Sequence, residues 1–100
     1  SNDAEYPYNV HYRRLLDYIN PNDRAKVILC TGFWKRGILD DIVRNIADEY
    51  GYPLVELNQL DTDEMKAFDT FGGTAPANHP GDKGMEAIAD AIWKELLKWL

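Results

Sequence analysis

His79 has the setting in this chain that best suits catalysis, within Asn78-His79-Pro80-Gly81-Asp82-Lys83-Gly84-Met85. A general base needs an imidazole whose pKa lies near the working pH. A loop just before a helix can present that ring over the C-terminal ends of parallel strands, where open α/β sheets hold their ligands. Pro80 stiffens the chain after the histidine, and Gly81 and Gly84 permit a tight approach. The competing assignment is a surface histidine that happens to precede a helix.

A nucleophile is harder to find. The only serine is Ser1, at a terminus where order is expected to be low. Cys30 is the only cysteine, so no intrachain disulfide can form. It closes the apolar run Val27-Ile28-Leu29-Cys30 and reads as a small buried hydrophobe rather than a thiolate. The four threonines lack a nucleophile-elbow context. His11 falls beside the apolar side of a helical pattern, the usual place of a half-exposed structural histidine.

Metal and cofactor chemistry find no support. The two histidines are far apart, with no Cys or Glu at zinc-site spacing. Glu56, Asp61, Asp63 and Glu64 do not follow a calcium-loop pattern. Gly72-Gly73 is not followed by the Lys-Ser/Thr and helix of a phosphate loop. No cofactor and no metal site are expected.

These residues need elements to position them. Tyr8, Tyr12, Leu15, Leu16 and Ile19 recur at helical spacing until Asn20-Pro21-Asn22-Asp23 breaks the pattern, which predicts a helix over about 8–19. Lys26 to Cys30 reads as a strand covered on both faces. Thr31 to Gly37 is a loop. Ile38, Leu39, Ile42, Val43, Ile46 and Ala47 mark a second helix, which Gly51 stops. Pro53 to Leu57 is a second strand. Asp61 is placed to cap a short helix with Glu64 three positions on, burying Met65 and Phe68. Residues 71–78 form a loop. A last helix starts near Asp82, and its apolar residues are Met85, Ile88, Ala89, Ile92, Trp93, Leu96 and Leu100.

Alternating helix and strand implies an α/β fold with short parallel strands. Two strands make a poor sheet, so the sheet is expected to continue in another chain or in a missing part. The hundred residues carry 45% hydrophobic and 28% charged residues, with three Trp, six Tyr and three Phe, which reads as globular. The net charge of −6 and the scattered cations, with Arg13-Arg14 and Lys35-Arg36 the only neighbours, argue against nucleic-acid binding. The longest apolar run is far short of a membrane span.

The segment from Asn78 to Met85, continued by Glu86-Ala87-Ile88-Ala89, resembles the last conserved block of SGNH (GDSL-like) acyl hydrolases. There a His, usually followed by Pro, precedes a Gly-bearing turn and the final amphipathic helix. The likeness extends upstream. An apolar strand runs into Thr31-Gly32-Phe33-Trp34, and Ile46 to Leu57 resembles the helix-to-strand passage of the same proteins. The resemblance covers roughly Tyr8 to the C-terminus and implies a partial flavodoxin-like, SGNH hydrolase-type, three-layer α/β/α domain spanning 1–100.

By that resemblance His79 is the catalytic histidine, and Phe33 and Trp34 belong to a substrate-side loop. An exposed Trp34 could stack on a sugar ring, as suits a carbohydrate esterase; for Phe33 a core position under the next helix is the stronger expectation. Asn2, in Ser1-Asn2-Asp3, corresponds to the family's oxyanion-donating Asn if these residues are the remnant of that block, or to nothing if they are a cut end. Two departures stand out. The family's Asp three residues before the His is replaced by Pro76, leaving Asp69 as the nearest upstream carboxylate. The Gly-Asp-Ser block with the nucleophile is absent.

The reading is therefore the C-terminal portion of a serine esterase, inactive alone, acting on a small acyl ester that includes carbohydrate esters. Its partner is the missing N-terminal half or a second copy, and a secreted or periplasmic setting follows from the resemblance alone. A non-catalytic module with an SGNH-like fold and an unrelated flavodoxin-like binding domain are the alternatives. The isolated chain is expected not to hydrolyse a short-acyl ester above a buffer control, since base and nucleophile act as a unit. Saturable turnover that survives His79→Ala contradicts this.

Overall fold

Pro7 is well suited to open a helix, because its missing N–H is one that no helix start can satisfy internally. In the computed structural model, which describes residues 7–68 and 75–100, helix α1 spans Pro7–Ile19. Strand β1 is Leu29–Cys30, helix α2 Ile38–Tyr50, strand β2 Leu54–Val55 and helix α3 Asp82–Leu97. Single 3-10 turns lie at Leu57–Leu60, Asp63–Met65 and Ala75–Asn78. The chain is mixed α/β, with the described strands forming one small parallel pair.

The strands pair Leu29 with Leu54 and Cys30 with Val55. Leu29 N–H donates to Pro53 O at 2.9 Å and Thr31 N–H to Val55 O at 3.0 Å. Both strands are shorter than the apolar runs 26–30 and 53–57 suggest. Among the described residues β1 and β2 have only each other, and a ladder without further strands frays at its ends.

The core forms where α1 and α2 meet the strands. Leu16, Leu29, Ile42, Val43, Ile46 and Ala47 are buried together, with Tyr12, Leu39, Tyr50, Tyr52 and Leu54 packed around them. Residues 42, 43, 46 and 47 follow the i, i+3, i+4 pattern of one helix face. Gly51 ends α2 at φ 70°, a left-handed turn that costs glycine nothing. Tyr52 N–H then reaches back to Ala47 O at 2.9 Å, the six-residue bond of a Schellman motif.

Polar contacts lock α1 onto α2. Arg13 donates through Nε to Glu49 Oε2 at 3.1 Å and through Nη2 to Oε1 at 3.2 Å. Tyr50 donates its hydroxyl to Asp17 Oδ1 at 2.8 Å. Burial, and then that bond, push the Tyr50 phenol up to about 12, so it stays protonated and donating throughout the neutral range. The helix-breaking Asn20 is a buried hub: its amide donates to Tyr52 Oη at 2.9 Å and its Oδ1 accepts from Ala25 N–H at 2.9 Å.

Helix α3 packs differently from the sequence pattern. It rests on the 3-10 turns after β2 and on β2 itself, and Gly84 is its only buried residue. Ile88 and Ile92 are half-buried, but Met85 is 56% exposed and Trp93 51% exposed, so neither is buried as its place in the apolar stripe implied. On α1, Leu15 and Ile19 are likewise exposed. The apolar stripes are wider than the surfaces that cover them. Correspondingly, the radius of gyration is 15.4 Å, against about 13 Å for a compact chain of this length.

This asymmetry predicts unequal costs of truncation. Ile46→Ala, in the fully buried cluster, should destabilise by about 2–5 kcal/mol. Trp93→Ala should stay within roughly 1 kcal/mol, as a surface change away from special features does. Denaturant unfolding of the two variants checks this; equal losses would place Trp93 in the core.

Candidate functional site

Parallel strands send their C-terminal ends to one side, so the segments that leave β1 and β2 are neighbours. Thr31, buried just past β1, accepts the Asn58 N–H on its Oγ1 at 3.0 Å. That bond ties the two strand exits together. Phe33 then turns inward and is 7% exposed, the core position that was the stronger expectation for it. Trp34 is half-buried.

Trp34 meets His79. Their ring centroids lie 5.1 Å apart with the planes at 78°, an edge-to-face contact. The indole Nε1–H donates to Asn78 O at 3.0 Å, which clamps the residue before the histidine. The loop after β1 and the turn before α3 are thus brought together, as expected from the shared side of the sheet. The Trp34 ring also takes Phe33 at 5.9 Å and the Arg36 guanidinium at 5.4 Å from its centroid. The ring is thus in contact with three side chains while remaining half-buried.

The main chain around His79 is held from below. Ala67 N–H is shared between Ala77 O at 3.1 Å and His79 O at 3.0 Å. Lys66 forms a single bridge with Pro80, and Gly81 N–H donates to Met65 O at 2.9 Å. The two glycines are needed here. A Cβ on Gly84 would overlap the Met65 carbonyl, and one on Gly81 would come within 3.1 Å of Lys66 O. Lys83 pairs with Glu64 at the rim.

Asp61 has a role its spacing did not reveal. It does not cap a helix, since the 3-10 turn at Asp63–Met65 starts after Thr62 with no side-chain cap. Instead Asp61 Oδ2 accepts the Lys35 N–H at 2.9 Å, and Oδ1 pairs with Lys66 Nζ at 3.0 Å. It therefore buckles the Trp34 loop to the strand of chain that supports His79. The Lys35 amide first, and then the Lys66 ammonium, hold the Asp61 carboxyl below the usual aspartate range. The missed signal was its position: an aspartate shortly after β2 lies on the same side as the loop after β1.

A second carboxylate organises the start of α2. Asp40, 4% exposed, accepts on Oδ2 from Arg36 N–H at 2.8 Å and from Asn58 Nδ2 at 2.9 Å. Asn58 Oδ1 is buried without a partner among the described residues.

The His79 imidazole is exposed, and among the described residues no side chain hydrogen-bonds it. Its expected upstream carboxylate, Asp69, lies outside the described residues, as do Ser1 and Asn2. The structure thus places His79 beside Trp34, puts Phe33 in the core and says nothing of Asn2. Cys30 is half-buried and its thiol is pushed up by burial, which disfavours a thiolate. His11 is on the exposed surface of α1. No group of three potential metal ligands occurs among the described residues, and no described helix is long and apolar enough to cross a membrane. The cluster offers a solvent-facing imidazole for proton transfer, an aromatic wall and a nearby guanidinium.

Because Asp61 is held below its ordinary value, its contribution is fully present above about pH 4 and is lost as pH falls through the folded-state value. Acidification below pH 4 should speed exchange of the Trp34 indole N–H before the α2 core amides, and Asp61→Asn should produce that loosening at neutral pH. Indole exchange unchanged by Asp61→Asn contradicts the buckle.

No protein family, curated protein or solved structure matches this chain.

Proposed function

We propose that this chain is the C-terminal portion of an SGNH-type serine acyl hydrolase and supplies its general base, His79. The nucleophilic serine and oxyanion donors come from a segment outside these hundred residues. The observation that carries the reading is the meeting of His79 with the post-β1 loop, imidazole exposed, on the side where parallel strands end. An exposed imidazole there can take the proton of an incoming hydroxyl and return it to the leaving alcohol. The substrate is a small acyl ester, with carbohydrate esters included, and the setting is secreted or periplasmic.

Several features support a complement. The described strands have only each other. Val10, Leu15 and Tyr18 on α1, and Met85, Trp93 and Leu97 on α3, are exposed, and burying apolar area is worth roughly 25 cal/mol per Å2. The N-terminal half of the same protein, or a second copy, satisfies these needs. A flavodoxin-like three-layer arrangement completes the proposal.

One observation favours a second reading, a non-catalytic interaction module of the same fold. Among the described residues no carboxylate orients His79, so nothing there stabilises the imidazolium that a triad forms.

The test is the natural protein joined to whatever precedes Ser1. A Gly-Asp-Ser block there, with hydrolysis of 4-nitrophenyl acetate, is the expected result. His79→Ala should then lower kcat by roughly two to four orders of magnitude. Full activity in His79→Ala contradicts the assignment, and the lack of any serine block selects the interaction module.

A further inference from the structure

Resting on the hydrolase reading for its site, we infer that the ligand held beside His79 is anionic, and that Arg36 is the residue that selects it.

Lys35 and Arg36 sit in a loop of a protein whose net charge is −6. Six cations of the described chain have carboxylate partners: Arg13, Arg44, Lys66, Lys83, Lys94 and Lys98. Arg36 has none among the described residues. The two nearby carboxylates are committed elsewhere. Asp40 Oδ2 takes the main-chain N–H of Arg36 and the amide of Asn58. Asp61 takes the main-chain N–H of Lys35 and the Lys66 ammonium. Both acids therefore fix the loop's backbone and leave the guanidinium unneutralised.

The guanidinium is also placed. It lies 5.4 Å from the Trp34 ring centroid, and that ring is 5.1 Å from His79. Stacking on the indole restricts the long side chain while leaving its N–H edge free to donate. A planar fork of donors matches a carboxylate, sulfate or phosphate in a two-point contact. Phe33, His79 and Arg36 all approach the half-buried Trp34 ring. What the site shows an incoming ligand is a held cation on the same indole ring that the proposed base touches. The substrate class that fits is an acyl ester carrying an anionic group near the ester, such as an acylated acidic sugar or an acyloxy acid.

The probes are 4-hydroxybenzoate, the alcohol product of an anionic acetyl ester, and its neutral isostere 4-hydroxybenzamide. Titration of the folded chain is followed through the Trp34 indole N–H and the His79 ring protons by NMR. The benzoate should bind about tenfold or more tightly than the benzamide, a difference expected of a charge-assisted pair, and should weaken as salt is added. Arg36→Gln should abolish the preference. Arg24→Gln, at the opposite ends of the strands, should leave it unchanged. Equal binding of the two probes, binding of neither, or a preference that survives Arg36→Gln overturns the inference. Loss in Arg24→Gln as well would mean a diffuse charge effect and overturns it too. If the anion binds through Arg36 but the protein with its preceding segment hydrolyses neither 4-acetoxybenzoate nor its amide, the hydrolase reading fails and the anion site stands.

Discussion

The close contact between the first turn of α3 and the backbone of Met65 is the constraint on which the site depends. Gly84 has no room for a side chain against the Met65 carbonyl, and Gly81 N–H bonds that same carbonyl. Alanine in place of a helical glycine ordinarily gains about 1 kcal/mol, so a glycine kept inside α3 reflects a steric demand. The contact seats α3, and α3 determines where the chain before it must run. Pro80, His79 and Asn78 follow from that seating, and Trp34 closes over them.

Two sets of forces are divided between two regions. Around α1, α2 and the strands, apolar burial dominates: Ile42 and Ile46 are essentially inaccessible, and the cluster is large enough to hold two helices. Around His79 few side chains are buried, and main-chain hydrogen bonds with the Asp61 ion pair carry the organisation. Such a region opens more readily than a core does. Asp61 and Trp34 are therefore more consequential for the arrangement around His79 than for global stability.

Much of the fold was legible because periodicity reports burial directly. The α2 pattern from Ile38 to Ala47 and its Gly51 stop correspond to the observed helix and its left-handed cap. Asn20-Pro21 ends α1 where the polarity changes. The strands were located but overextended, because an apolar run shows what can be buried and the length of a ladder depends on its neighbours. Met85 and Trp93 misled for the same reason: an apolar face is a capacity, and nothing among the described residues covers it. At the site, His79 and its glycines could be read from one contiguous segment. Asp61 could not, since its partners Lys35 and Lys66 are distant in sequence or on the other side of a turn, and a capping pattern explained it equally well. Phe33 and Trp34 are adjacent and have opposite fates, which only the turn of the loop decides.

The central claim is that the Trp34 loop and the His79 turn meet to form one site. The most direct measurement is the nuclear Overhauser effect between the Trp34 indole protons and the His79 ring protons in the folded protein. At a ring-centroid separation of 5.1 Å these cross-peaks should be present and should disappear in Trp34→Ala while the Ile46 and Leu29 signals stay dispersed. A well-folded spectrum with no contact between the two rings would contradict the account.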